Sequence, residues 1–175
     1  MDAALIVYAL NLSAIYALMA IGISLLWSSI GMLNMAHGAT FAVAGYGTLV
    51  IGNAVLPGID SLFHGWAALG VIRLAVLLAA GVGVGALFGM VIYLLAFLPI
   101  HDKANFAVRG MIVTLAINLA TVQALLWWFG PRQQALPNVF GFGRLSLLGI
   151  PLRYDQAATI GATVVLLGVA LAWLR

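Results

Sequence analysis

Apolar residues do not alternate with polar ones along this chain; they fill whole windows. No Asp, Glu, Lys or Arg occurs between Asp2 and Asp60, from Leu74 to His101, from Gly110 to Pro131, or from Gln156 to Leu174. A charge at the centre of a bilayer costs about 2.5–3.5 kcal/mol on insertion scales. About 20 helical residues, rising about 1.5 Å each, cross a hydrocarbon core of about 30 Å. Charge-free windows of this length predict membrane-spanning helices. Barrel strands fit poorly, because they need about 10 residues of alternating polarity and these windows are apolar on every side.

The pattern predicts an all-α, polytopic transmembrane bundle of about five spans. The first runs from Ala4 to Trp27 and the second from Ala36 to Ile51, with "SSIGMLN" between them. "GNAVLPGIDSLFHGW" reads as a loop, because Pro57, Gly58 and Asp60 are turn residues. The third span runs from Leu69 to Leu98 and stops at Pro99, which lacks the amide a helix needs. After the polar connection "PIHDKANFAVRG" comes a fourth span, Met111 to Phe129. A Pro- and Gly-punctuated excursion, "GPRQQALPNVFGFGRLSLLGIPLRYD", leads to a fifth, Ala157 to Leu174. The two adjacent tryptophans that close the fourth span, Trp127 and Trp128, read as interfacial anchors.

Composition sharpens the class. The chain is 65% hydrophobic and 6% charged, where a soluble domain carries about 25% charged residues; it is an integral membrane protein. A net charge of +3 and a pI near 9.7 would suit a nucleic-acid partner, but the 7 basic residues are scattered over membrane edges and form no patch. Nucleic acid is not a partner. With no cysteine, disulfides and thiolate chemistry are excluded. The N-terminus carries no Lys or Arg before its apolar run, which predicts a retained first helix rather than a cleaved signal. Charge does not decide orientation: Arg132, Arg144 and Arg153 fall on one side, Lys103, Arg109 and Arg175 on the other.

Polar and small residues inside such windows carry the information. Gly81, Gly85 and Gly89 recur every four residues, so they share one helical face and permit close helix packing. That contact lies either within the bundle or against a second subunit. Asn34, His37 and Thr40 recur every three residues and share one side if the helix is continuous there. Two readings stay open. In one, Asn34 caps the second span at a membrane surface by accepting from its first-turn amides. In the other, the polar patch marks a break within the bundle that lines a solute path. Thr114, Asn118 and Thr121 form a further stripe, facing protein or a cavity, since Asn in hydrocarbon must be partnered or wet. Asn11, Ser13 and Gln123 are the remaining intramembrane polar groups weighed. No carboxylate, serine or second histidine stands at a useful spacing from His37, so neither a triad nor a two-His metal site is visible, and no cofactor is expected.

"YALMAIGISLLWSSIGMLNMAHGATFAVAGYGT" resembles the first two spans of the branched-chain amino-acid ABC transporter permeases, the LivH-type family. The positions that carry the resemblance are Tyr16, Ala17, Leu18, Ala20 and Gly22, then Gly31, Asn34, Ala36, His37 and Gly38, then Tyr46. Downstream, the "FGP…LP" run from Phe129 to Pro137 is similar too, and the likeness covers nearly the whole chain. The resemblance implies a multi-pass bacterial inner-membrane subunit of an ATP-driven importer, itself not an enzyme. Its partners would be a second permease subunit, cytoplasmic ATP-binding subunits and a periplasmic solute-binding protein. The solute would be a branched-chain amino acid or, as in similar permeases, urea or a short amide. Arg175 would face the cytoplasm and the N-terminus the outside. Where the family usually has an acidic residue after His-Gly, this chain has Ala39. Residues 1–175 then read as a single permease domain, the N-terminal part of an ABC importer permease fold, without the ATPase-docking segment and later spans. The solute path would involve Asn34, His37, Gly38, Thr40, Thr114 and Asn118. The alternative from another class is a helical membrane scaffold acting through Gly81, Gly85 and Gly89.

Overall fold

The computed structural model describes residues 3–63, 69–132, 134–136, 144–147 and 150–173. It is helical, with α1 Ala3–Ile30, α2 His37–Leu62, α3 Leu69–Ile92, α4 Phe106–Phe129 and α5 Tyr154–Trp173. A π-helical turn, Tyr93–Phe97, and a 3-10 turn, Leu98–Ile100, prolong α3. Four stretches are long and apolar enough to cross a membrane: Leu5–Ser29, His37–Leu62, Leu69–Ile100 and Phe106–Phe129. In α5 the apolar stretch Gln156–Ala170 is shorter. This is a multi-pass membrane protein. Leu78, Val82 and Leu87 on α3 are mostly exposed, as apolar residues of a spanning helix can be where lipid is the solvent.

Two compact units make up the chain: Met1–Leu25 with Asn138–Arg175, and Leu26–Pro137. The first holds most of α1, a hairpin and α5. The hairpin pairs β1 Arg144–Leu147 with β2 Ile150–Arg153, antiparallel, with Arg144 opposite Arg153 and Leu147 opposite Ile150. It sits in the excursion after the fourth span, outside every spanning window. In α5, the buried Thr163 turns its hydroxyl onto the Thr159 carbonyl at 2.8 Å, the usual way a hydroxyl is satisfied inside a membrane helix. On α1, Asn11 Oδ1 is buried without a hydrogen-bond partner among the described residues.

The second unit holds α2, α3 and α4. Here the expected loop after Ile51 is corrected: α2 continues through Pro57 to Leu62. Thr48, Leu49, Gly52 and Leu56 are buried, so the packed face carries on past the expected end. That packing outweighs one missing amide, which membrane helices tolerate. At the far end Arg73 Nε and Nη2 each lie 2.7 Å from Asp60 Oδ1, tying α2 to α3. A second correction concerns α4, which begins at Phe106, not Met111. Asn105 takes a left-handed conformation, φ 60°, which Asn accepts more readily than most residues. The Phe106 ring then meets Phe97 at 6.4 Å and the edge of His101 at 6.0 Å.

Close approach of α2 and α3 depends on small residues, though not on all those the glycine spacing suggested. A Cβ at Gly81 would lie 2.9 Å from Thr48 Oγ1, and one at Gly85 would make ordinary contact, 3.5 Å, with Ala44. Gly89 faces open space. The tightest point is Gly47 on α2, where a Cβ would fall 2.6–3.0 Å from three carbons of Val84. Gly47→Ala is therefore expected to lower stability by about 1–3 kcal/mol through overpacking. Gly89→Ala should be neutral or stabilise by up to about 1 kcal/mol through helix propensity. Unfolding midpoints of the two variants in one detergent check the contrast, and equal midpoints would refute it.

Candidate functional site: a helix break inside the bundle

The chain leaves α1 at Gly31, whose φ of 70° suits glycine and whose N–H still bonds the Trp27 carbonyl at 2.9 Å. It re-enters helix only at His37. In hydrocarbon, the backbone groups freed between these points need partners. Asn34 supplies two: its Oδ1 accepts from the Ala36 N–H at 2.9 Å and its carbonyl accepts from the His37 N–H at 3.3 Å. This is the local turn that Asn side chains favour. The third partner comes from α4. Met35 N–H donates to Thr114 Oγ1 at 3.1 Å, while the Thr114 hydroxyl donates to the Gly110 carbonyl at 2.7 Å.

Gly110 and Thr114 act as a cradle. One turn apart on α4, both are buried. A Cβ at Gly110 would lie 2.8 Å from Met32 Sδ and overlap the Met32 methyl, so any larger residue there would make this side chain, itself 2% exposed, move. From α3, Ile92 and Ala96 close on Ala36, with Phe88, Phe97, Val113 and Ile117 around them. One turn further along α4, Asn118 Oδ1 would sit 3.7 Å from a Cβ on Gly38. Asn118 is the twelfth residue after Phe106 and the eleventh before Phe129. At about 1.5 Å per residue, it lies about 18 Å from one end of α4 and about 16 Å from the other. The first turn of α2 thus stands level with the middle of a spanning helix.

Two expectations change here. Asn34 is not on one helical side with His37 and Thr40, because the helix is not continuous through it. Nor does Asn34 cap α2: the capping position is Ala36, no side chain caps the helix, and the Asn34 carboxamide serves the Ala36 amide before the first turn. Thr40 Oγ1 donates to the Ala36 carbonyl at 3.1 Å. His37 opens α2 and is half-buried; Thr114 is completely buried, and Asn118 and Thr121 are half-buried. Met32, Gly110 and Ala96 pack at the break without having been singled out, and Ala36, noted only for the resemblance, packs there too. Gly110 could have been found, since it continues the Thr114–Asn118 stripe by one turn toward the N-terminus.

A second convergence joins stretches far apart in sequence. The Tyr46 ring stacks on Phe129 at 4.3 Å. Beside it a cavity of about 460 Å³ is lined by Phe41, Ala42, Gly45, Tyr46 and Leu49 of α2 and by Gln134 and Leu136 beyond α4. Trp127 and Trp128, at the same end of α4, are strongly exposed. Among the described residues, no three His, Asp or Glu side chains gather to hold a metal ion.

A family model described as branched-chain amino acid transport system, permease component, matches residues 5–175. The chain is 25% identical over 172 residues to the high-affinity branched-chain amino acid transport system permease protein BraD of Pseudomonas aeruginosa, covering 95% of this chain and 53% of that protein. To the corresponding LivH of Escherichia coli K12 it is 28% identical over 135 residues, 74% of this chain and 39% of that one. The LivH of Salmonella typhimurium gives 27% over the same shares. The chain spans about half or less of the length of these relatives. No solved structure matches it.

Proposed function

We propose, from the premise that this chain belongs to the branched-chain amino acid transport system permease family, that it forms part of the solute path of an ATP-driven importer in a bacterial inner membrane. Family membership implies a transport system with other subunits. We assign these as a second permease subunit, cytoplasmic ATP-binding subunits and a periplasmic solute-binding protein. The relatives' names point to branched-chain amino acids as the solute.

One observation carries the reading: a helix begins at mid-height of its neighbour, with no side-chain cap, beside Asn118 and His37. Discontinuous helices of this kind place the positive end of a helix dipole at the bilayer midplane, where transported solutes bind. No Asp, Glu, Lys or Arg occurs from residue 3 to 59, so the path is suited to a solute without net charge. A zwitterionic amino acid meets that condition, its carboxylate turned toward the helix start.

The test is ATP-dependent uptake of radiolabelled leucine by vesicles that hold this chain with its partner subunits, competed with isoleucine, valine, urea and acetamide. Uptake competed only by the amino acids supports the reading; competition by the amides alone would reassign the solute. His37→Ala and Asn34→Ala should each reduce uptake about tenfold, the loss of about 1.4 kcal/mol of interaction within the range of a single polar contact. Undiminished uptake in both removes these two residues from the path.

A further inference from the structure

The π turn that follows α3 touches the helix break through Ala96, and Pro99 comes two residues after that turn. In a regular α-helix the Leu98 N–H would bond the Leu94 carbonyl. Here it bonds Tyr93, five residues back. The cause stands next in sequence. Proline offers no N–H, and its ring collides with the carbonyl four residues before it, which here belongs to Leu95. Widening the turn by one residue moves that carbonyl aside. Such wide turns are rare and often lie at functional sites.

The wide turn has one exposed face and one buried face. Tyr93, Leu94 and Leu95 are exposed, Leu95 by 66%. Ala96, wholly buried, packs with Ile92 on Ala36, the last residue of the break. On this side the break rests on Ile92 and on the methyl group of Ala96. Beside that methyl in sequence, facing outward, is a leucine.

We propose that the π turn is a register switch that controls the seating of the helix break. A wide turn migrates along a helix by exchanging five-back for four-back hydrogen bonds, one residue at a time. Each step turns the affected residues by about 100°. If the extra residue moves toward Pro99, Leu95 swings into the place of Ala96. A branched side chain then presses on Ala36 where a methyl did before, and the break is pushed off α3. The two arrangements form a bistable element of the kind that switching requires, and register shifts of helices occur in microseconds to milliseconds. The inference rests on the break and not on the identity of the solute.

The absence of native cysteine makes the test clean. Met35→Cys places one thiol in the break, and its reaction with a water-soluble maleimide is timed in the full chain in nanodiscs. Pro99→Ala removes the reason for the wide turn, so α3 closes into α-helix and Leu95 moves inward. Labelling should quicken about tenfold, the response to a shift of one decade in the equilibrium. Leu95→Ala alone, on the exposed face, should leave the rate unchanged. The Pro99→Ala/Leu95→Ala double variant should return to the parent rate, because no wedge remains. Ala96→Leu, which places the wedge directly, should quicken labelling with Pro99 intact and serves if Pro99→Ala does not fold. A rate unchanged in Pro99→Ala or in Ala96→Leu overturns the proposal, and so does a double variant as fast as Pro99→Ala. Labelling needs neither solute nor ATP, so its outcome is independent of whether leucine is transported.

Discussion

Thr114→Val is expected to unseat the helix break and to reduce uptake about tenfold or more, while Thr114→Ser keeps most of it. Valine preserves the volume and branching of threonine but accepts no hydrogen bond. The Met35 N–H, now held at 3.1 Å by Thr114 Oγ1 in a partly buried bond, would lose that partner. For a partly buried donor this costs about 1–2 kcal/mol, the lower part of the range for a buried one. The Gly110 carbonyl, which accepts the same hydroxyl at 2.7 Å, loses a secondary donor only. The break should respond by lifting toward water, which shows as faster amide exchange at Met35 with α4 otherwise intact. Serine supplies the same oxygen and loses one methyl, so its variant separates hydrogen bonding from packing. If valine and serine behave alike, in uptake and in exchange at Met35, the hydroxyl does not hold the break.

The second large effect is expected at Gly110. Gly110→Val would drive a branched side chain into Met32, whose sulfur would stand 2.8 Å from the new Cβ. Methionine is the most adaptable of the apolar side chains, but at 2% exposure Met32 has little room to move. Overpacking of this sort costs about 1–3 kcal/mol, here placed on the segment that positions Asn34 and His37. Uptake and unfolding midpoint should both fall. Met32→Ala alone leaves a cavity and is also harmful, by about 2–5 kcal/mol at a fully buried site. Combined, the two changes should partly cancel, because the valine fills what the methionine vacates. Residues in contact show such coupling, and distant ones do not. A strictly additive double variant would mean that Gly110 and Met32 do not share the space assigned to them.

The spanning architecture was legible because bilayers penalise charge so heavily. Four charge-free windows were enough to place five helices to within a few residues at most ends. The errors fall where sequence signals borrowed from water-soluble proteins lose their force. Pro57 reads as a turn, yet Gly52 and Leu56 remain buried and carry the helix past it. Asn105 reads as mid-loop, but a left-handed residue is also how α4 starts. The polar character of residues 31–40 marked where the helix breaks, while the three-residue spacing of Asn34, His37 and Thr40 misled, since it presupposed the helix that is missing there. The threonine and asparagine of α4 were visible as a stripe. Their function as a support for another segment was not, because it depends on Met32 and Met35, which look like ordinary greasy residues until the backbone leaves the helix. The glycine series shows the same limit. Repetition every four residues identified a face, but Gly47, the closest contact, belongs to no repeat and is defined only by Val84 opposite it.

The neutrality of the break has an electrical consequence. A charge carried across a membrane does work against its potential, about 2.3 kcal/mol per elementary charge for each 100 mV. Met32, Asn34, Met35, Ala36, Gly110, Thr114 and Asn118 carry none, and neither does anything else from residue 3 to 59. Displacing this segment through the field therefore moves no formal charge. What the field can act on is the partial positive charge at the start of α2, roughly half an elementary charge.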